Sequence, residues 1–230
     1  MSAYGDIRVG AVAPMSTVDW PGELSAVLFL RGCPWRCPYC HNPDMQKPKG
    51  PSRDWSGVMN FLGQRRGLLD GVVFSGGEPC MQANLIWAIQ EVRALGFKTA
   101  LHTGGHYPER LRQLLDAELL DWVGFDVKGP WEDYARITGR ADAGQRARRS
   151  LELLVASGVD YELRTTVDPR LLDADRLSCM ADELGAPAHD RLVLQRCNPT
   201  EGHDQDLPPF SLKQMAEGLS GQLGLVAVRN

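Results

Sequence analysis

Short apolar runs carrying β-branched or aromatic residues recur near residues 25–31, 71–75, 97–103, 121–128, 159–167 and 191–196. Between them lie stretches with helical spacing of apolar residues, near 54–66, 83–95, 108–118, 145–157 and 174–185. In 83–95 the stripe is Leu85, Ile86, Ile89, Val92 and Leu95. Strands alternating with helices predict a parallel sheet or barrel built from βα units. A last apolar run, Leu225 to Val228, reads as a further strand. Nothing repeats at a fixed period, and the one linker-like stretch, Gln46 to Arg53, reads as a surface loop.

Two strands favour a barrel over a flat sheet. In 121–128, Val123, Phe125 and Val127 share one side, with Asp126 and Lys128 opposite. In 159–167, Val159, Tyr161, Leu163, Thr165 and Val167 alternate with Asp160, Glu162, Arg164 and Thr166. Strand side chains alternate between faces, and a doubly wound sheet needs both faces apolar. The pattern therefore predicts one face against helices and a polar face around a lumen that holds something charged. The expected fold is α/β, an incomplete (β/α)6 barrel, with 1–230 as a single domain. Six strands in 230 residues cannot close the eight-stranded barrel, which takes about 250.

Composition excludes several classes. With 43% hydrophobic and 23% charged residues, the chain is not disordered. Lys+Arg 25 against Asp+Glu 29 gives −4, which is not the footprint of a nucleic-acid binder. The longest strictly apolar run, Ala26 to Leu30, is too short to span a membrane. Met1 to Asp6 carries no secretion signal, so a cytoplasmic protein is expected.

Six cysteines are too few for a disulfide scaffold. Three of them form Cys33-x3-Cys37-x2-Cys40 just after the first predicted strand, at the barrel end where active sites sit. Three thiolates would leave one iron of a cubic [4Fe–4S] cluster open to a non-protein ligand. Structural zinc is the alternative, and it wants four protein ligands. His41, adjacent to Cys40, is a poor fourth, although a scattered cysteine could complete the set. Ser75-Gly76-Gly77-Glu78-Pro79 follows the second predicted strand. Paired glycines let backbone approach a ligand and present bare N–H and C=O groups. Alone this is a turn; one βα unit after the cysteine loop, it marks a ligand site.

On these residues the chain resembles the radical S-adenosylmethionine (SAM) superfamily. The three-cysteine spacing with Tyr39 before the last cysteine resembles its signature, and Gly76-Gly77-Glu78-Pro79 its methionine-binding loop. Thr17-Val18-Asp19-Trp20-Pro21-Gly22, Cys40-His41-Asn42-Pro43 and Asp126-Val127-Lys128 resemble glycyl-radical-enzyme activating enzymes. Among these the likeness is to the activating proteins of anaerobic ribonucleoside-triphosphate reductase.

The resemblance implies that Cys33, Cys37 and Cys40 bind a [4Fe–4S] cluster whose open iron takes the amino and carboxylate groups of SAM. It implies that the Gly76, Gly77, Glu78 and Pro79 loop holds the methionine amino group, with Tyr39 against the adenine. Asp126 and Lys128 would reach the carboxylate and ribose, and Arg164 matches the family's arginine on the fifth strand. Asp19 and His41 would stand at the mouth where a partner's peptide enters. His102 and Thr103 count with the cofactor contacts. The formate-lyase activators have Asp-Thr there, so a monovalent cation beside the SAM carboxylate depends on His102 replacing that Asp.

The implied reaction is reductive cleavage of SAM, with the resulting 5′-deoxyadenosyl radical taking hydrogen from a glycine of a partner enzyme. The implied partner is the anaerobic ribonucleotide reductase, with electrons from a flavodoxin or ferredoxin-type donor. The alternatives are a small-molecule radical enzyme similar to 7-carboxy-7-deazaguanine synthase, and a non-catalytic zinc module. The absence of an insertion long enough for a lid favours a macromolecular substrate at the open side. Arg136, Arg140, Arg146, Arg148 and Arg149 read as a solvated helix face, or else as a docking surface for an acidic electron donor. Cys179 and Cys197 read as buried small apolar residues, and Cys80, Cys179 and Cys197 are too dispersed for a second cluster. No catalytic histidine aligns in Leu194 to Pro199, and His106, His189 and His203 receive no role.

Overall fold

A computed structural model describes residues 7–197 and 207–229. Eight strands form one sheet in chain order: β1 (Val9–Ser16), β2 (Ser25–Leu30), β3 (Gly71–Gly76), β4 (Lys98–Thr103), β5 (Trp122–Asp126), β6 (Asp160–Val167), β7 (Leu192–Arg196) and β8 (Ala227–Arg229). Strands β2 to β8 run parallel, and β1 pairs antiparallel with β2. The six expected strands are β2–β7, the wall of a partial (β/α)6 barrel whose edges are β1 and β8. The final run became the short β8. Strand β1 was not expected: as an edge strand that is mostly half-buried or exposed, it lacks the alternation that marks a half-buried strand.

The helices are α1 (Trp55–Gly63), α2 (Leu85–Ala94), α3 (Pro108–Asp116), α4 (Tyr134–Thr138), α5 (Ala143–Ser157), α6 (Ala174–Leu184) and α7 (Leu212–Leu223). Side-chain caps start several of them: Asp54 accepts from Gly57 N–H, Asp173 from Arg176 N–H and Ser211 from Gln214 N–H, each satisfying an orphan donor. Helix α7 was missed, although Leu212, Ala216, Leu219 and Leu223 are buried at helical spacing behind that Ser211 cap.

The outer faces of the strands carry the main core. Leu28, Phe74, Leu101, Phe125 and Leu163 pack there with Ile89, Leu111, Leu154 and Leu177 from the helices. The inner face corrects the expectation of a wholly polar lumen. Val27, Val73, Ala100 and Trp122 form a separate apolar cluster with Trp20, whose ring stacks on Trp122 at 6.2 Å. Trp20 belongs to the β1–β2 loop, which turns into the barrel and plugs its lower half. Burying a large apolar side chain contributes about 1.5–3 kcal/mol, whereas unpaired polar groups in the same place would be costly. Ser75, His102, Asp126, Arg164 and Gln195 surround one polar cavity in the upper part of the lumen, and below Arg164 on β6, Glu162 pairs with Arg229 of β8. Among the described residues, no helix is long and apolar enough to cross a membrane.

Candidate active site

The cavity, of about 260 Å3, sits where the parallel strands end, and every candidate residue except Pro79 lines it. Its cysteine wall is pinned from below and behind. Arg31, buried at the end of β2, donates from Nε to Pro51 O at 2.6 Å and from a terminal nitrogen to Asp44 O at 2.9 Å. Gly32 N–H donates to Met45 O at 2.7 Å, Cys33 N–H to Gln46 O at 3.1 Å, and Arg36 N–H to Thr138 O at 2.8 Å. Trp35, buried between the first two cysteines, donates its indole N–H to His106 Nδ1 at 3.1 Å and meets Tyr134 edge-on. A Cβ on Gly104 would fall 2.0 Å from the Trp35 ring, so only glycine fits there. Neither Trp35, Gly104 nor His106 was singled out from the sequence.

Cys33, Cys37 and Cys40 are all half-buried, and none of them is in a disulfide. Burial pushes the Cys33 thiol up to about 12. Burial also raises Cys37, against the pull of the Lys128 ammonium. The bare Cys33 and Cys37 thiols are therefore protonated at neutral pH, and binding iron would release their protons. Among the described residues no three His, Cys, Asp or Glu side chains converge on a single-ion site. In a cubic cluster each cysteine binds a different iron, whereas structural zinc takes four protein ligands, so three cysteines suit the cluster better than one zinc ion. The Tyr39 hydroxyl is buried beside the cysteines with no hydrogen-bond partner among the described residues. The donor set and this orphaned phenol fit an iron–sulfur cluster with a polar ligand against it.

The Gly-Gly-Glu-Pro loop differs from expectation in detail. Gly76 has φ +112°, and a Cβ there would meet Leu30 N at 2.3 Å; one on Gly77 would meet Gly32 O at 2.4 Å. Gly77 N–H donates to Leu30 O and Glu78 N–H to Gly32 O, each at 2.9 Å. The glycines thus bring the loop against the cysteine segment, and these two N–H groups are spent within the protein. The buried Glu78 carboxylate accepts from Thr103 Oγ1 at 2.7 Å, Gly104 N–H at 3.0 Å and Cys80 N–H at 3.2 Å. Burial raises its pKa, and those three donors oppose the rise. Glu78 and Thr103 therefore line the cavity while clamping the β3 and β4 loops together. Pro79 is buried at the head of a short 3₁₀ turn, Pro79–Met81, where its missing N–H costs nothing. It does not line the cavity.

Opposite the cysteines stands a charged group. Arg164 lies across β5, donating from Nε to Asp126 Oδ1 at 3.1 Å and pairing with the same oxygen through a terminal nitrogen at 2.9 Å. Lys128 Nζ lies 3.4 Å from Asp126 Oδ2. Burial disfavours the Asp126 charge, but Lys128 and then Arg164 outweigh it and hold the carboxyl at about 2. Burial likewise disfavours the Lys128 charge, yet Asp126 carries that ammonium above the usual lysine range. Buried His102 is 3.0 Å from an Arg164 nitrogen, 2.8 Å from Asp19 O and 3.2 Å from Ser75 Oγ. Burial, then Arg164, depress its pKa to about 3. The Asp19 carboxylate itself accepts from the Ser16 hydroxyl, and exposed His41 lines the rim.

A family model described as the radical SAM superfamily matches residues 27–181, the barrel from β2 to α6. The chain belongs to the radical SAM superfamily. It is 27% identical over 227 residues to a Methanocaldococcus jannaschii protein named for glycyl-radical enzyme activation, covering 95% of this chain and 91% of that one. It is 31% identical over 174 residues to the pyruvate formate-lyase-activating enzyme of Clostridium pasteurianum, covering 73% and 71%. Among solved structures it is similar to Streptococcus suis SuiB bound to S-adenosylmethionine, with TM-score 0.66 at 12% identity over 86% of this chain and 48% of that one. It is also similar to anSMEcpe with bound AdoMet, with TM-score 0.63 at 18% identity over 86% and 60%. The chain spans about half the length of these solved chains, and at such identities the likeness is one of fold.

In this radical SAM enzyme the remaining candidates fall away from the cavity. Arg136 pairs with Asp133, Arg140 and Arg146 with Asp142, Arg148 with Glu152, and Arg149 with Glu109. That surface is a solvated face on which each arginine has a carboxylate neighbour, with Asp142 shared by Arg140 and Arg146. Cys197 is buried as expected, whereas Cys179 is half-buried. His189 pairs with its neighbour Asp190 in solvent. His203, Asn198 and Pro199 lie outside the described residues.

Proposed function

We propose that this radical SAM enzyme installs a glycyl radical on a partner enzyme, the anaerobic ribonucleoside-triphosphate reductase. The observation that carries the reading is one cavity joining three cysteines, the Gly76–Gly77 backbone and the Asp126–Lys128–Arg164 group, in a chain whose relatives are named as activating enzymes. At about 260 Å3, the cavity lies at the small end of ligand pockets. A [4Fe–4S] cluster and SAM together would fill it, leaving the hydrogen donor to reach it from outside, as a loop of a macromolecule does. This favours the activase over the small-molecule alternative.

In this reading Cys33, Cys37 and Cys40 each hold one iron of a [4Fe–4S] cluster. Once bound, the cluster and SAM supply one-electron cleavage of the C5′–S bond and a 5′-deoxyadenosyl radical that takes hydrogen from a glycine Cα. The protein binds, orients and excludes water. Lys128 and Arg164 meet the SAM carboxylate and Asp126 its hydroxyl or amino donors. With the Gly77 and Glu78 N–H groups already spent, the loop offers a ligand's amino group carbonyl oxygen. Tyr39 lies against the adenine, while Asp19 and His41 meet the incoming peptide. A monovalent cation does not fit: His102 is neutral and faces Arg164, and Asp126 is already paired with two cationic side chains. Electrons come from a flavodoxin or ferredoxin-type donor.

The test is anaerobic incubation of the reconstituted protein with SAM, reductant and the candidate reductase, followed by electron paramagnetic resonance. A glycyl doublet on the reductase is expected. SAM cleavage without any doublet would assign the chain another substrate.

A further inference from the structure

His102 makes two contacts that one neutral ring nitrogen cannot satisfy together. Its Nε2 lies 2.8 Å from the carbonyl oxygen of Asp19, which only accepts, and 3.0 Å from a terminal nitrogen of Arg164, which only donates. With its pKa near 3 the ring is neutral, so Nε2 carries either a proton or a lone pair. On the other side, Nδ1 faces the Ser75 hydroxyl at 3.2 Å, and a hydroxyl serves either tautomer.

Two hydrogen-bond states follow. In one, Nε2–H donates to Asp19 O, Ser75 donates to Nδ1, and Arg164 loses the imidazole as an acceptor. In the other, Nδ1–H donates to Ser75, Arg164 donates to Nε2, and the Asp19 carbonyl is released. Asp19 belongs to the β1–β2 loop, which is anchored by Trp20 in the lumen floor and by Ser16. Ser16 donates to the Asp19 carboxylate and accepts from the Asp19 N–H. Arg164 belongs to the group facing the cysteines.

We propose that His102 is a positioning residue that exchanges these two bonds, so that displacement of the Asp19 carbonyl by an arriving peptide locks Arg164 beside Asp126. The peptide and the SAM role of Arg164 rest on the functional reading above; the exclusivity of the two bonds does not. A partner docking at the mouth would then be felt at the cofactor before any chemistry, which couples SAM binding to peptide arrival.

The test is a double-mutant cycle read by equilibrium SAM binding on the anaerobically reconstituted protein. Ser16→Ala loosens Asp19 without touching the lumen floor, and Trp20→Phe is a second loosening variant. His102→Gln places acceptor and donor on separate atoms, so both partners can be served at once. Loosening should tighten SAM binding about three-fold or more with His102 present and leave it unchanged with Gln. Nitrogen-15 NMR of the histidines, with His102 assigned by its loss in His102→Gln, should show Ser16→Ala shifting the ring towards the Nδ1–H tautomer. An equal effect in both backgrounds, or an unmoved tautomer, overturns the relay. The tautomer is read without SAM, so it judges the relay even if the wild-type protein binds no SAM. That last result would overturn the functional reading instead.

Discussion

The guanidinium of Arg164 lies where a side chain on residue 124 would begin: a Cβ on Gly124 would stand 2.7 Å from its Cζ. Gly124 is the inward-facing residue of β5 between Trp122 and Asp126, and its carbonyl accepts from Arg164 at 3.3 Å. A missing side chain on one strand thus makes room for a charged one from the next. Gly124→Ala should push Arg164 off Asp126, weakening SAM binding about ten-fold and costing about 1–3 kcal/mol of stability by overpacking. Calorimetric binding and urea unfolding of the same preparation check both numbers.

The cluster ligands make the sharpest contrast. Alanine at Cys33, Cys37 or Cys40 should abolish iron–sulfur absorbance after anaerobic reconstitution. Half-buried Cys179, on α6 and not lining the cavity, should tolerate the same change. Failure of Cys179→Ala to assemble the cluster would mean that the ligands are wrongly assigned.

Lys128→Ala removes a buried cation beside Asp126 and keeps all three cysteine ligands, although Cys37 loses the ammonium that opposes its rise. SAM should bind more weakly by about 1.5–3 kcal/mol, the range for a hydrogen bond to a charged group. Iron content serves as the control and should not change. Undiminished affinity would show that the ammonium serves only Asp126.

Asp19→Ala should slow glycyl-radical formation on the partner far more than uncoupled SAM cleavage. The side chain lines the cavity from the β1–β2 loop; the substitution keeps the backbone carbonyl that meets His102 but removes the Ser16 anchor, so Ser16→Ala is the control for loosening alone. If both activities fall together, the side chain supports the site and not the peptide.

The buried imidazole predicts a pH dependence of stability. His102 has a folded pKa near 3, against 6.5 as its ordinary value. Below 6.5 the unfolded chain takes up a proton that the folded chain refuses, so stability present at neutral pH declines as pH falls towards 3. Between pH 7.5 and 5.5 this amounts to about 1.4 kcal/mol. Urea midpoints of wild type and His102→Gln at these two values should differ by that slope. Parallel lines would show that the ring protonates in place.

The strands β2–β7, five of the helices and the cysteine loop were legible because their signals are local. Alternation, helical spacing and the three-cysteine spacing each span a few neighbours along the chain. The chemistry of Asp126 and Lys128 was visible for the same reason, since two residues apart on one strand means one face. Helix α7 carried the same kind of signal and went unread. Strand β1 did not: at a sheet edge its residues meet core on neither face for long enough to impose a period.

Other relationships exist only once the barrel has closed around its lumen. His102 meets Asp19 across 83 residues of chain and Arg164 across 62. Gly124 makes room for a guanidinium 40 residues away, and Glu78 spends its carboxylate on the next strand's loop. Trp20, noted in the sequence only within a resemblance, became the floor of the lumen because Val27, Val73, Ala100 and Trp122 present an apolar surface there. Spacing along the chain decides which side of a strand a residue takes. Which residue it then faces depends on sheet curvature and loop packing, and here those turned a histidine, an arginine and a glycine into one device.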